Sequence, residues 1–128
     1  MQPTKTAATK SARFEYDGSI LTVTFINDED IDLEEAHRHI DACSKLVGDV
    51  PALVLVDTTQ SYASVTAEAR RLLSGSGERI IPKIAEAIVL KHLHTRLLAR
   101  FYIKVDRPPN PIKVFSCPNE AREWLKSL

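Results

Sequence analysis

The run Ala52-Leu-Val-Leu-Val56 constrains this chain more than any other segment, because it is apolar without alternation and rich in branched side chains. A strand with one wet face alternates between apolar and polar residues. One that does not alternate is covered on both faces, as a central strand of a parallel sheet is. Parallel neighbours cannot be joined by tight turns and need long crossovers, usually helical. The flanking segments carry those helix signals. Asp32-Leu-Glu-Glu35 has the form of a capping box, with an acceptor at the N-cap and a glutamate three residues later. Beyond it Leu33, Ala36, Ile40, Cys43 and Val47 recur at three- and four-residue steps, and Gly48 is a natural stop. After the apolar run, Ser64 or Thr66 can cap a second helix with Val65, Ala69, Leu72 and Leu73 as its stripe, closed by a Ser74-Gly-Ser-Gly77 linker.

The same reading extends to both ends. Phe14 to Tyr16 and Ser19 to Ile26 flank Asp17-Gly18, which predicts a hairpin closed by a two-residue type I′ turn. Ile84 to Leu90 reads as a third core strand, and the segment from about His92 to Val105 as a helix burying Leu93, Leu97, Phe101 and Val105. Arg107-Pro-Pro-Asn-Pro111 cannot be helical and serves as a rigid connector. Ile112 to Cys117 is the last strand, followed from Asn119 to Leu128 by a helix with Ala121, Trp124, Leu125 and Leu128 on one face. The expected order is β-β-α-β-α-β-α-β-α, an α/β fold with a mostly parallel sheet, an opening hairpin and helices packed on the sheet. With 128 residues the chain has room for one core, so residues 13–128 form a single domain behind a loose polar tail, residues 1–12.

Pro111-Ile-Lys-Val-Phe115, then Glu120-Ala121 and Trp124-Leu125, resembles the ending of SpoIIAA-like proteins, in which a strand closing on phenylalanine precedes an Ala-x-x-Trp-Leu helix. Arg100-Phe-Tyr-Ile-Lys104 and the stretch to Phe115 are similar to a group of uncharacterised bacterial proteins of that type. The order of elements also resembles the STAS domain, the family of the anti-anti-sigma factors. The resemblance implies a STAS-like fold and a module that works by binding a partner. In the anti-anti-sigma branch an Asp-Ser-Ser-Gly segment opens the second helix and carries a phosphorylated serine. The corresponding stretch here, Tyr62-Ala-Ser-Val-Thr66, keeps hydroxyls at Ser64 and Thr66 but lacks the aspartate and glycine. Of the two, Ser64 is the favoured phosphorylation candidate. A lipid-carrying branch of the same fold implies a small apolar ligand or lipid. Such a carrier needs a cavity, which the pattern of apolar residues would place beneath the third and fourth helices, lined by Leu97, Phe101 and Trp124.

The residues themselves offer little local chemistry. His37 and His39, and His92 and His94, are two apart, which on a helix turns the rings roughly 200° away from each other and leaves neither pair able to grip one metal. They read as surface or capping side chains, and no metal or other cofactor is expected. Asp57 lies at the carboxyl end of the apolar strand, where open α/β sheets bind ligands, and Thr58 and Ser61 are close enough in sequence to complete a polar site there. That is the enzyme alternative. Ser74-Gly-Ser-Gly77 follows a helix instead of preceding one, so it lacks the geometry of a phosphate cradle. No nucleophile elbow or Cys-x-x-Cys pair is present, and a non-catalytic role is the expectation.

Seventeen basic residues balance seventeen acidic ones, which removes the global electrostatic case for nucleic acid. Two free thiols, no apolar stretch near the roughly 20 residues of a membrane helix, and an amino terminus without the apolar middle of a secretion signal together predict a cytoplasmic protein. The charges are unevenly placed. Residues 27–49 are strongly acidic, whereas Lys91 to Lys113 is almost wholly basic. Arg96, Arg100 and Lys104 stand four apart on the predicted third helix, a stripe suited to an acidic partner protein, a lipid head group or a second copy of the chain in a homodimer.

Overall fold

The computed structural model describes residues 4–73 and 82–128. In chain order its elements are β1 (Lys5–Ala8), β2 (Ala12–Tyr16), β3 (Ile20–Phe25), α1 (Leu33–Val47), β4 (Ala52–Asp57), α2 (Ala67–Leu73), β5 (Lys83–Val89), α3 (Leu93–Asp106), β6 (Ile112–Phe115) and α4 (Pro118–Lys126). The strands lie side by side in that same order, giving a mixed sheet of six. β1, β2 and β3 pair antiparallel, and β3, β4, β5 and β6 pair parallel. The unbroken apolar run is β4, flanked by parallel neighbours on both sides as its composition requires.

Each parallel step moves in the same direction across the sheet. Right-handed crossovers therefore put α1, α2 and α3 on one face, and α4 returns along the other. Two separate cores follow. On the first face Phe14, Leu21, Val23 and Phe25 pack against Ala36, Ile40, Cys43 and Val47 of α1 and Ala69 and Leu72 of α2. On the second, Ile20, Leu55, Ala85, Ala87 and Val89 pack against Ala121 and Leu125 of α4. Trp124 lies over Phe115 at 5.8 Å, and Leu128 is exposed. Cys43 is a buried free thiol and Cys117 a half-buried one.

Three sequence expectations are corrected, and one open choice, the third below, is decided. Residues 1–12 are not all loose tail, because Lys5–Ala8 pairs with β2 as an edge strand. Its residues are mostly exposed, so main-chain hydrogen bonds hold it and no apolar alternation announces it. The turn at Asp17-Gly18 is not type I′, which needs positive φ at both central residues. Only Gly18 has it, at 97°, and the Asp17 carboxylate closes a longer turn by accepting from the amides of Ser19 and Ile20, both at 2.8 Å. Third, α2 begins after Thr66, whose hydroxyl accepts from the Ala69 amide at 3.2 Å. Ser64 lies upstream, where the Ile31–Val65 bridge joins the two loops and the Ser64 amide donates to Asp30. Fourth, α3 buries none of its residues, and the supposed core stripe faces solvent, with Leu93 61%, Leu97 55%, Phe101 59% and Val105 59% exposed. The Ser74-Gly-Ser-Gly77 linker lies outside the described residues.

The Thr66 cap is directly testable. Thr66→Ala should lower the unfolding free energy by about 1 kcal/mol, whereas Ser64→Ala should change it by less than about 0.5 kcal/mol, both read from urea denaturation.

Candidate functional site

α3 crosses the first face of the sheet without filling the space beneath it, and a cavity of about 550 Å³ lies between them. Its floor is made by residues of five strands, among them Phe14, Val23, Phe25, Val54, Ile88 and Ile112, and its roof by Leu98, Ala99, Tyr102 and Ile103 of α3. His39 and Cys43 of α1 close one side, and Arg70 and Leu73 of α2 line the walls as well. The walls are predominantly apolar, the makeup of a small-molecule site of ordinary size. The lipid alternative placed such a cavity beneath the third and fourth helices. It lies instead beneath α3 with α1 and α2 at its sides, and Leu97, Phe101 and Trp124 take no part in it.

Two ion pairs supply most of the charge. The Arg70 guanidinium donates to Asp106 at 2.9 Å and lies 3.8 Å above the Tyr102 ring, so α2 and α3 are joined by a polar clasp at the cavity wall. Lys83 meets Glu86 at 3.0 Å and donates to the Leu73 carbonyl at 2.7 Å, both side chains nearly buried. Residues three apart on a flat strand point to opposite faces. They meet here because the pairing steps from Ala52–Lys83 to Leu53–Ala85 and leaves Ile84 as a bulge, which returns Lys83 to the face that carries Glu86.

A buried polar cluster sits behind His39. The Ser11 hydroxyl donates to the Glu35 carboxylate and lies 2.8 Å from Nε2 of His39. Thr9 donates to the same carboxylate oxygen at 2.8 Å, and Arg38 donates to the other at 3.0 Å. Burial raises the Glu35 pKa, but the hydrogen bonds from Ser11, Thr9 and Arg38, aided by the nearby His39, outweigh it and bring the group down to about 2. Burial lowers the His39 pKa below the usual imidazole value and outweighs the attraction of Glu35. Burial likewise pushes the Cys43 thiol up to about 12, so it is no nucleophile at neutral pH. Serine, histidine and carboxylate suggest a catalytic triad, but the geometry differs. A triad carboxylate orients the imidazole nitrogen remote from the serine, whereas Glu35 and Ser11 meet His39 at the same one. Ser11 and Glu35 are also almost fully buried. The cluster is a latch fastening the turn between β1 and β2 to α1.

Sequence reasoning missed this latch. Asp32 accepts from the Glu35 amide at 2.8 Å as a capping box requires, but the Glu35 side chain turns inward instead of reaching back. His39, expected at the surface, is 3% exposed, with Phe14 and Phe25 edge-on to its ring. The available signal was spacing, because Glu35 and His39 are four apart and share the face of Ala36 and Ile40.

The strand-end residues are engaged in local and loop hydrogen bonds, and Thr58 also lines the cavity. The Asp57 carboxylate accepts from the Thr59 amide and hydroxyl at 2.9 and 2.7 Å, Thr58 donates to the Val89 carbonyl at 2.8 Å, and Ser61 donates to the Asn27 carbonyl at 2.5 Å. Asp28 and Asp30 similarly accept from the amides of Tyr62 and Ser64. Much of the acidic segment thus fastens the following loop. Ser64 lies upstream of the start of α2, so a phosphate on it would not sit at the helix N-terminus. The basic stripe is reduced as well. Arg96 donates to the carbonyls of Leu90 and Lys91, while Arg100 and Lys104 remain exposed. His92 and His94 are exposed and stacked on one another. Among the described residues, no group of three His, Cys, Asp or Glu side chains converges as a metal site requires, and no helix is long and apolar enough to cross a membrane.

A mixed sheet in sequential order with three helices on one face and a fourth behind is the SpoIIAA-like fold that the sequence resemblance implied. It matches the crystal structure of an uncharacterised protein of the DUF3478 family from Shewanella loihica PV-4, described as SpoIIAA-like. The TM-score is 0.58 at 13% identity over 96% of this chain and 92% of the other. The chain belongs to the family described as Domain of unknown function (DUF7793), whose model matches residues 14–128. A protein of unknown function from Arthrobacter sp. FB24 is 25% identical over 95% of this chain and 98% of its own, with a TM-score of 0.33. No curated protein matches.

The latch makes a pH prediction. Glu35 titrates at about 2 when folded and near 4.5 otherwise, so its contribution is complete above pH 4.5 and is lost as pH falls toward 2. His39, also lowered, acts in the same direction below its ordinary value of 6.5. Glu35→Gln should cost about 2 kcal/mol at neutral pH. Its deficit relative to the native chain should shrink as pH falls from 4.5 toward 2, measured by urea unfolding across a pH series.

Proposed function

We propose that this domain is a non-catalytic binding module whose ligand is a small, predominantly apolar molecule held between α3 and the sheet. The observation that carries the reading is the cavity of about 550 Å³, floored by strand residues such as Val54, Val56 and Ile88 and roofed by α3. Apolar walls reward an apolar ligand through the area they remove from water. The Lys83–Glu86 and Arg70–Asp106 pairs give such a ligand two polar landmarks while already satisfying one another. Against catalysis stand the buried latch and the strand-end hydroxyls and carboxylates committed to loop hydrogen bonds. A cytoplasmic setting accords with the two free thiols.

The test is native mass spectrometry on gently extracted protein together with uptake of a fluorescent fatty acid by the emptied chain. A stoichiometric adduct and saturable uptake are expected. Ala99→Trp, which projects an indole from the roof into the cavity, should abolish both while the protein stays folded. Protein that emerges empty and takes up no probe, or a variant that binds like the native chain, ends the ligand reading. An empty chain that retains a protein partner through purification would replace it with the regulatory alternative.

A further inference from the structure

α3 presents two faces that answer to different surroundings. At 100° per residue, Thr95, Ala99, Tyr102 and Asp106 share the side that lines the cavity. Leu93, Leu97, Phe101 and Val105, spaced by four, form a strip turned roughly 150° away from it. All four are more than half exposed. Arg100 and Lys104 border the strip on the same outer side, and both are exposed and make no ion pair among the described residues. Lys91 and Arg107 add exposed cations at the two ends of the helix. The sole carboxylate between Lys91 and Lys113 is Asp106, and Arg70 holds it on the cavity side. Within residues 91–113 the outer face is therefore apolar and cationic, without an anion of its own.

The geometry points to an anionic lipid bilayer as the partner of this face, with Leu93, Leu97, Phe101 and Val105 seated among the acyl chains and Arg100 and Lys104 at the phosphate head groups. An interfacial helix combines these two ingredients, an apolar strip that leaves water and cations that neutralise head-group charge. Charge complementarity selects this occupant over a second copy. A two-fold pairing of α3 on α3 would set Arg100, at the middle of the helix, near its own counterpart, with no acidic residue on either face to offset it. The acidic segment of another copy answers the cations poorly, because Asp28 and Asp30 already accept from the amides of Tyr62 and Ser64. A nucleic acid would answer the cations and leave the apolar strip in water. This surface goes beyond the cavity reading and stands whether or not the cavity is filled.

The experiment is co-sedimentation of the full chain with vesicles of equal parts phosphatidylcholine and phosphatidylglycerol, and with phosphatidylcholine alone. Binding to the anionic vesicles, weak binding to the neutral ones and loss with added salt are expected. Arg100→Glu with Lys104→Glu, and separately Leu97→Ser with Phe101→Ser, should each lower partitioning by more than about tenfold, with far-ultraviolet circular dichroism unchanged. Ala99→Trp changes the cavity side only and should bind the vesicles as the native chain does, so a failed ligand reading and a failed surface reading give different results. The proposal is overturned if the native chain stays in the supernatant with anionic vesicles, or if either double variant sediments as the native chain does. It is equally overturned if the native chain ignores vesicles but forms a dimer that the Leu97 and Phe101 substitutions dissolve.

Discussion

Four strands, β3 to β6, lie in register order and all point the same way, and this constraint decides what can sit where on the molecule. Because a right-handed crossover always rises on the same side, three consecutive steps in one direction place three helices on one face. α1 packs there against α2 and against β1 and β2 at the antiparallel end of the sheet. α3 is left over the narrow parallel edge at β6, where the strand beneath it has only four residues. Among the described residues the opposite face has α4 as its one helix, which the small residues Ala85, Ala87 and Ala121 let approach closely. The cavity is the remainder of this division: the sheet surface between β3 and β5 belongs to no helix closely enough to be filled.

The polar pairs fit the same picture. Where apolar side chains cannot bridge a gap, long charged ones can, and Arg70 reaches from α2 to Asp106 with Tyr102 beneath its guanidinium. A bulge at Ile84 performs a comparable service within the sheet by bringing Lys83 round to Glu86. Charges this close to an apolar interior persist only with a partner, since an unpaired one would be strongly destabilising. Both pairs meet that condition, as does Glu35 with its three donors.

Much of the architecture was legible in the sequence because its signals are local. β4 is an unbroken apolar run, α1 has both a cap and a period, and the prolines of 107–111 exclude a helix by covalent structure alone. What was not legible depended on partners distant in sequence or on exposure. β1 is held by main-chain pairing that Lys-Thr-Ala-Ala does not encode. Glu35 and His39 are inside because Thr9 and Ser11 come to them from more than twenty residues away. For α3 the period was read correctly and its side wrongly: Leu93, Leu97, Phe101 and Val105 do form one strip, but spacing does not say whether a strip faces the protein or leaves it. The cavity was anticipated only through family resemblance, and its walls could not be named without knowing which way that helix turns.

That outward strip also bears on how the molecule comes apart. Cooperative unfolding spreads through shared buried surface, and a helix with none shares little. α3 is tied by the Arg70–Asp106 clasp, by Arg96 on the Leu90 and Lys91 carbonyls and by its contact with β6. The sheet with α1, α2 and α4 keeps both of its cores if those ties open. The domain should thus behave as two units of unequal stability on one chain, with amide protons of α3 expected to exchange through excursions far smaller than those that release β4.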